Sequence, residues 1–150
     1  MTQKVDILLV EDNADDIELA VHALREEKLA NGITIARDGE EALDIIFHRG
    51  QWAGPATLPP RLILLDLKLP KVDGLDVLRA LKGDPRTKAI PIVVMTSSKE
   101  ERDLVESYKL GVNAYVQKPV GFDEFRGIVK ELGLFWLVIN QPPPAQAFEA

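Results

Sequence analysis

The sequence predicts an α/β fold in which a five-stranded parallel sheet is covered by helices on both faces. Five short apolar runs recur along the 150 residues, at 5–10, 33–36, 62–65, 92–95 and 114–116, separated by longer segments with helical spacing. Runs that are continuous rather than alternating, and rich in Val and Ile, are typical of strands buried on both faces. Because parallel strands need crossover connections, this alternation of strand and helix predicts a doubly wound sheet.

The helices are predicted from apolar stripes and from start signals. Two segments place apolar residues at i, i+3, i+4 and i+7, which is one face of a helix. These stripes are Ile17, Ala20, Val21 and Leu24 after the first strand, and Phe125, Ile128, Val129 and Leu132 after the fifth. Asp38 and Ser98 are each followed three residues later by a glutamate, which is a capping-box pattern. Each strand is therefore followed by a helix.

Composition and charge exclude several classes of function. The chain has 18 Lys+Arg and 24 Asp+Glu, a net charge of −6, which disfavours nucleic acid as a direct partner. The basic residues are scattered, which disfavours binding to an anionic membrane surface. The absence of cysteine excludes disulfides, thiolate metal sites and a thiol nucleophile. The apolar run near the N-terminus is too short for a signal peptide or a membrane span, so we expect a cytoplasmic protein.

We expect one domain, over residues 1–139, followed by a flexible Pro-rich tail at 140–150 that contains three consecutive prolines. Residues 48–61 form a long Gly/Pro-rich connection before the third strand. The sequence leaves the role of this connection open.

Acidic side chains occur at the predicted ends of two strands. Asp66 follows an almost wholly apolar run, and Glu11 and Asp12 follow the first strand. In an open α/β sheet, ligands bind beyond the carboxyl ends of the strands. If the first and third strands are neighbours, three carboxylates meet there and repel one another unless a cation lies among them. Mg²⁺, which takes a few carboxylates and keeps several waters, fits such a site.

Two further strand ends add a hydroxyl and an ammonium group. Thr96 follows the fourth strand and Lys118 follows the fifth. A metal and a lysine can disperse the charge of a transferred phosphoryl group, and a carboxylate can be its nucleophile. Each residue alone also has an ordinary structural explanation, such as a helix cap or a turn. Their order at successive strand ends predicts that Asp66 is phosphorylated.

The same residues lie in motifs that resemble the CheY-like receiver domain of two-component response regulators. The motifs are "LLVEDN", "LILLDLKLPKVDGLDVL", "VVMTSS" and "GVNAYVQKPV", and the resemblance covers residues 5–137. It implies the flavodoxin-like fold with strand order 2-1-3-4-5. It also implies Asp66 as phosphoacceptor and a Mg²⁺ site formed by Glu11, Asp12, Asp66 and the backbone carbonyl of Lys68.

The resemblance also implies a switch. Thr96 matches the hydroxyl that moves toward the phosphoryl group, Lys118 the lysine that pairs with it, and Tyr115 an aromatic that repacks. The bond between Lys118 and Pro119 matches one that is cis in this family. Phosphorylation adds charge and acceptor oxygens. We therefore expect a change in the face formed by the fourth helix, fifth strand and fifth helix.

The segment "GLFWLVINQPPP", with "ESYKLGVNAYVQKPV", resembles stand-alone regulators paired with bacterial phytochrome-type histidine kinases. The resemblance implies a bacteriophytochrome kinase as partner and output through protein contacts. Such regulators are often dimers. A homodimer would form through the fourth-helix, fifth-strand and fifth-helix face, or through Phe135, Trp136 and Leu137. The alternative for the last three residues is that they continue the core stripe of the final helix.

Other functions remain as alternatives. The leading interpretation is a phosphoacceptor rather than an enzyme with its own substrate. Phosphatases of the haloacid-dehalogenase type also use a strand-end aspartate, but their nucleophile is the first residue of a D-x-D motif. In this chain the second residue after Asp66 is Lys68, not an aspartate. A receiver-like scaffold that acts without phosphorylation is the third possibility. Lys68 is also a departure from many receivers, which have an uncharged residue there.

Overall fold

The computed structural model describes residues 7–26, 32–54, 59–96, 110–112, 114–118 and 120–133. The strands are β1 (Ile7–Val10), β2 (Ile33–Ala36), β3 (Leu62–Asp66), β4 (Ile92–Thr96) and β5 (Ala114–Gln117). The helices are α1 (Ala14–Glu26), α2 (Gly39–Phe47), α3 (Gly74–Gly83) and α4 (Phe122–Gly133), with a 3₁₀ turn at Gly50–Trp52. The predicted fourth helix, which would begin after Ser98, lies outside the described residues, so α4 is the predicted fifth helix.

The five strands form one parallel sheet in the order β2-β1-β3-β4-β5, which confirms the predicted strand order. In the register between the central strands, Val10 is opposite Leu65. The residues that follow Val10 and Leu65 therefore emerge side by side at the carboxyl edge of the sheet. This neighbourhood of β1 and β3 is what positions the predicted acidic site.

The core consists of two apolar layers, one on each face of the sheet. Alternate strand residues point to opposite faces, so Ile7 and Leu9 join one layer while Leu8 and Val10 join the other. The first layer contains the predicted stripe of α1 together with Phe125, Ile128 and Val129 of α4, and the second contains the buried apolar side chains of α2 and α3. Helices on both faces confirm the doubly wound architecture.

Local details follow the sequence signals closely. The Asp38 side chain accepts a hydrogen bond from the Glu41 backbone N–H at 2.7 Å, and the Glu41 side chain accepts one from the Arg37 backbone N–H at 2.9 Å. These bonds satisfy donors at the start of α2. At the other end, His48 adopts a left-handed conformation with φ 54°, which ends α2 and begins the Gly/Pro-rich connection.

Several predictions fall on residues outside the described ranges. They concern the cap at Ser98, the bond to Pro119, the segment of Phe135, Trp136 and Leu137, and the tail at 140–150. Among the helices that are described, none has both the length and the apolar composition needed to cross a bilayer.

Candidate functional site

The carboxyl edge of the sheet brings three predicted acids together. Asp66 is the last residue of β3 and is 5 % exposed, and Glu11, directly after β1, is 1 % exposed. The Glu11 backbone N–H donates to the Ala36 carbonyl at 2.9 Å, so the ladder between β1 and β2 continues and holds Glu11 at the edge. Asp12 is exposed. One carboxylate oxygen from each of Glu11, Asp12 and Asp66 lies within 4.8 Å of the others.

Lys118 reaches these acids from the end of the edge strand β5. Its backbone N–H donates to the Thr96 carbonyl at 2.8 Å, which continues the pairing of β4 with β5 by one residue. Its Nζ donates to Glu11 Oε1 at 2.8 Å and to Asp66 Oδ2 at 3.0 Å. The structure therefore brings together four of the residues that the sequence places at strand ends.

Asp16 is a member of the site that the sequence analysis missed. Its Oδ2 lies 2.8 Å from Lys118 Nζ, at the same distance as Glu11 Oε1. The Asn13 side chain accepts a hydrogen bond from the Asp16 backbone N–H at 2.9 Å, which is a helix N-cap. An Asn followed three residues later by an acid, directly after the acids of β1, is the signal that could have placed Asp16 at this edge.

The loop after β3 orients Asp66. The Lys68 backbone N–H donates to Asp66 Oδ1 at 3.0 Å, while the Lys68 side chain is exposed. The loop then folds back, because the Gly74 N–H donates to the Leu67 carbonyl at 2.9 Å. A Cβ at Gly74 would overlap the Asp66 carbonyl oxygen and the Leu67 backbone, so only glycine allows α3 to begin so close to β3.

Thr96 and Tyr115 lie on the neighbouring strands β4 and β5. Thr96 is the last residue of β4 and its exposure is 0 %. Tyr115 is partly buried and packs against the layer under α2 and α3. The register places Tyr115 opposite Val94, two residues before Thr96. The two residues are therefore near one another in the sheet, as a coupled movement requires, and their switch roles stay predictions.

The electrostatics of the site favour a bound cation. Burial raises the pKa of Glu11 to about 7; the nearby Asp66 carboxylate adds to this rise and the Lys118 ammonium opposes it. Burial alone would favour the neutral amine of Lys118, but hydrogen bonds to the carboxylates around it outweigh burial and raise its pKa. Positive charge near Glu11 therefore favours its ionised form.

The donor set suits a hard divalent cation. All three donors are carboxylate oxygens, and oxygens on opposite sides of an octahedral Mg²⁺ are about 4 Å apart, close to the 4.8 Å within which these atoms lie. Because Asp12 is exposed, one side of the cluster is open to water. Glu11, Asp12 and Asp66 therefore form a candidate site for a divalent cation.

A family model described as the response regulator receiver domain matches residues 7–130. The chain belongs to this family. The predicted resemblance is therefore confirmed, and the receiver interpretation is favoured over a haloacid-dehalogenase-type phosphatase.

Two curated relatives cover most of the receiver domain. The probable methanogenesis regulatory protein FilR2 of Methanothrix harundinacea is 42 % identical over 138 residues, which are 91 % of this chain and 86 % of FilR2. The response regulator Rcp1 of Synechocystis is 39 % identical over 139 residues, 93 % of each chain.

Solved structures share the fold of the receiver domain. The phosphorylated cyanobacterial phytochrome response regulator RcpA matches with a TM-score of 0.83 and 40 % identity. The match spans 95 % of this chain and 100 % of the RcpA chain. The Mn²⁺-bound form of Rcp1 has a TM-score of 0.81 and 38 % identity, with coverages of 92 % and 98 %. The bacteriophytochrome response regulator AtBRR has a TM-score of 0.72 and 50 % identity, with coverages of 93 % and 99 %.

Proposed function

We propose that this receiver domain is a phosphorylation-controlled switch in which Asp66 accepts a phosphoryl group from a histidine kinase. The observation that carries the proposal is the convergence on Asp66 of an ammonium group at 3.0 Å and of the carboxylates of Glu11 and Asp12. A nucleophilic carboxylate, a cation-binding cluster and a lysine are the groups that phosphoryl transfer needs. The phosphorylated structure of RcpA, at 40 % identity, supports the proposal.

The chemistry follows from the placement of the two Asp66 oxygens. A carboxylate oxygen of Asp66 attacks the phosphorus of a phosphohistidine, the P–N bond breaks, and its electron pair stays on the imidazole. The Lys68 N–H holds Oδ1 and the Lys118 ammonium holds Oδ2, so the carboxylate is oriented before the reaction. Lys118 then disperses negative charge on the transferred group.

Mg²⁺ is the proposed cation. Glu11, Asp12, Asp66 and the backbone carbonyl of Lys68 would hold it, and when bound it would neutralise charge on the phosphoryl oxygens. The Mn²⁺-bound structure of Rcp1, at 38 % identity, supports a divalent cation at this site.

The proposed readout runs through β4 and β5. The buried Thr96 hydroxyl moves toward the phosphoryl group and the half-buried Tyr115 ring repacks, which alters the face formed by β5, α4 and the predicted fourth helix. The proposed output is a contact with another protein, because a local charge change read out by a two-state surface is a general means of signalling.

The proposed donor is a phytochrome-type histidine kinase in the cytoplasm. RcpA is described as a phytochrome response regulator and AtBRR as a bacteriophytochrome response regulator, at 40 % and 50 % identity. FilR2, at 42 %, is described instead as a probable methanogenesis regulator. The donor is therefore the part of the proposal that most needs its own test.

The test follows transfer of labelled phosphate from a phytochrome-type kinase, and separately from acetyl phosphate, to the purified chain. Label should reach the parent chain in Mg²⁺, should be absent with EDTA, and should be lost in Asp66→Asn. Asp123→Asn is the matched control, since Asp123 is an exposed acid in the first turn of α4. Equal labelling of Asp66→Asn and parent would contradict the acceptor role. Labelling by acetyl phosphate alone would reject only the phytochrome-type donor.

The domain limit at residue 139 and the dimer surfaces stay predictions. If Phe135, Trp136 and Leu137 form a dimer contact, Trp136→Ala should lower the sedimenting mass of the chain to that of a monomer. An unchanged mass would contradict a contact through this segment. Limited proteolysis that removes residues 140–150 and leaves the remainder intact would support the proposed boundary.

A further inference from the structure

Three carboxylates surround the Lys118 ammonium. Nζ lies 2.8 Å from Glu11 Oε1, 2.8 Å from Asp16 Oδ2 and 3.0 Å from Asp66 Oδ2. An ammonium group has three N–H donors and no acceptor. Each donor of Lys118 therefore already has a carboxylate partner. Lys118 can bind a phosphoryl oxygen only by giving up one of them.

The three partners differ in what happens to them on phosphorylation. Asp66 carries the phosphoryl group, and Glu11 belongs with Asp12 to the cation-binding cluster. Asp16 neither carries the group nor belongs to that cluster. It is therefore the partner that continues to attract Lys118 after the phosphoryl group has arrived.

The backbone position of Asp16 is set by α1. Its backbone lies in the first turn of α1, where its N–H is capped by the Asn13 side chain at 2.9 Å. Lys118 reaches the site on a flexible four-carbon stem. This stem allows the ammonium group to move between Asp16 and a phosphoryl oxygen.

We infer that Asp16 is a positioning residue that competes with the phosphoryl group for Lys118 and so weakens binding of that group at Asp66. The inference rests on the proposed function. The Asp16 side chain is 40 % exposed whereas that of Lys118 is 11 % exposed, so water screens the ion pair in part. Removal of the Asp16 charge should therefore strengthen binding of a phosphoryl mimic about twofold to fivefold.

The test measures the affinity of the Mg²⁺-loaded chain for beryllofluoride, which adds to a carboxylate as a phosphoryl mimic, by ¹⁹F NMR. Asp16→Asn keeps the capped backbone N–H and removes only the charge. Asp15→Asn is the matched control, because Asp15 is the adjacent acid of the same helical turn and is exposed. Asp16→Asn should bind beryllofluoride more tightly than Asp15→Asn. Asp16→Glu, which keeps the negative charge, should bind it with the affinity of the parent chain.

A double-mutant cycle separates competition for the lysine from a general effect on α1. In a Lys118→Ala background, Asp16→Asn should change beryllofluoride affinity no more than Asp15→Asn does. An equal gain with and without Lys118, or unchanged or weaker binding by Asp16→Asn in the parent background, overturns the inference. If the parent chain binds no beryllofluoride and takes no label on Asp66, the proposed function itself fails, which is a different result.

Discussion

Replacement of Gly74 by alanine tests how the β3–α3 connection supports the site. The new Cβ would overlap the carbonyl oxygen of Asp66 and the Cα and carbonyl oxygen of Leu67. These are backbone atoms of residues that are 5 % and 3 % exposed, so no flexible side chain can absorb the overlap. The start of α3 must move away from the end of β3, and the loop that orients Asp66 must move with it.

The size of the effect follows from overpacking in a buried region. An added methyl group of this kind costs about 1–3 kcal/mol. In a domain of about 150 residues each kcal/mol lowers Tm by roughly 2–4 °C, so a loss of about 2 kcal/mol lowers Tm by roughly 4–8 °C. Displacement of the Lys68 N–H, which lies 3.0 Å from Asp66 Oδ1, should also slow phosphorylation about tenfold.

The matched control for this change is Gly83→Ala in the same helix. A Cβ at Gly83 would meet no atom within 4 Å, so this variant should be as stable as the parent or slightly more stable. The assays are thermal unfolding and the rate of labelling by acetyl phosphate at saturating Mg²⁺. If Gly74→Ala matches Gly83→Ala in both Tm and rate, the connection does not position Asp66 in the way argued above.

Three further predictions concern other parts of the receiver domain. In EDTA, Glu11→Gln should match the parent in stability below about pH 4.5 and should be more stable than the parent above pH 7, by on the order of 1–3 kcal/mol. Burial raises the folded-state pKa of Glu11 to about 7, so ionisation of the Glu11 carboxyl destabilises the folded parent as pH rises. Urea unfolding across this pH range measures the difference, and a difference that does not vary with pH contradicts it. Thr87→Val should cost about 1 kcal/mol, since the buried Thr87 hydroxyl donates to the Leu81 carbonyl at 2.6 Å; Thr87→Ser, which keeps the hydroxyl, should cost less. Gly127→Ala should raise stability by up to about 1 kcal/mol in thermal unfolding, because Gly127 is an exposed interior position of α4 with open space around it, and a loss of stability would show that the space is occupied in solution.

The features that could be predicted are those set by burial and alternation. Continuous apolar runs indicated the five strands, and the acids that follow the first and third runs indicated the carboxyl edge of the sheet. The apolar run indicated a third strand over 62–65, and β3 extends one residue further, so that Asp66 is its last residue. A strand end can carry a buried acid when partners are near, and the Lys68 N–H and Lys118 supply them.

The features that could not be predicted depend on side-chain reach and on local backbone conformation. The cap pattern of Asn13 could have placed Asp16 at this edge of the sheet, but only the observed direction of the Lys118 side chain shows that the two groups meet at 2.8 Å. Lys71 has a positive φ of 65°, which residue preference does not indicate for a lysine. The buried hydroxyl of Thr87 gave no pattern at all in the sequence.

The position of the site follows from the topology, because a sheet covered on both faces leaves the ends of its strands as the places where charged side chains can meet. Strand order reverses between β1 and β3, since β2 lies on one side of this pair and β4 on the other. At such a reversal the connections leave in opposite directions and open a crevice. Glu11 and Asp66 occupy this crevice with exposures of only 1 % and 5 %, so their charges need a cation there. Lys118 supplies positive charge in the structure described. On the proposed function, a divalent cation and a phosphoryl group would together change which partners the lysine keeps, and this exchange would let the same few residues both stabilise the site and switch it.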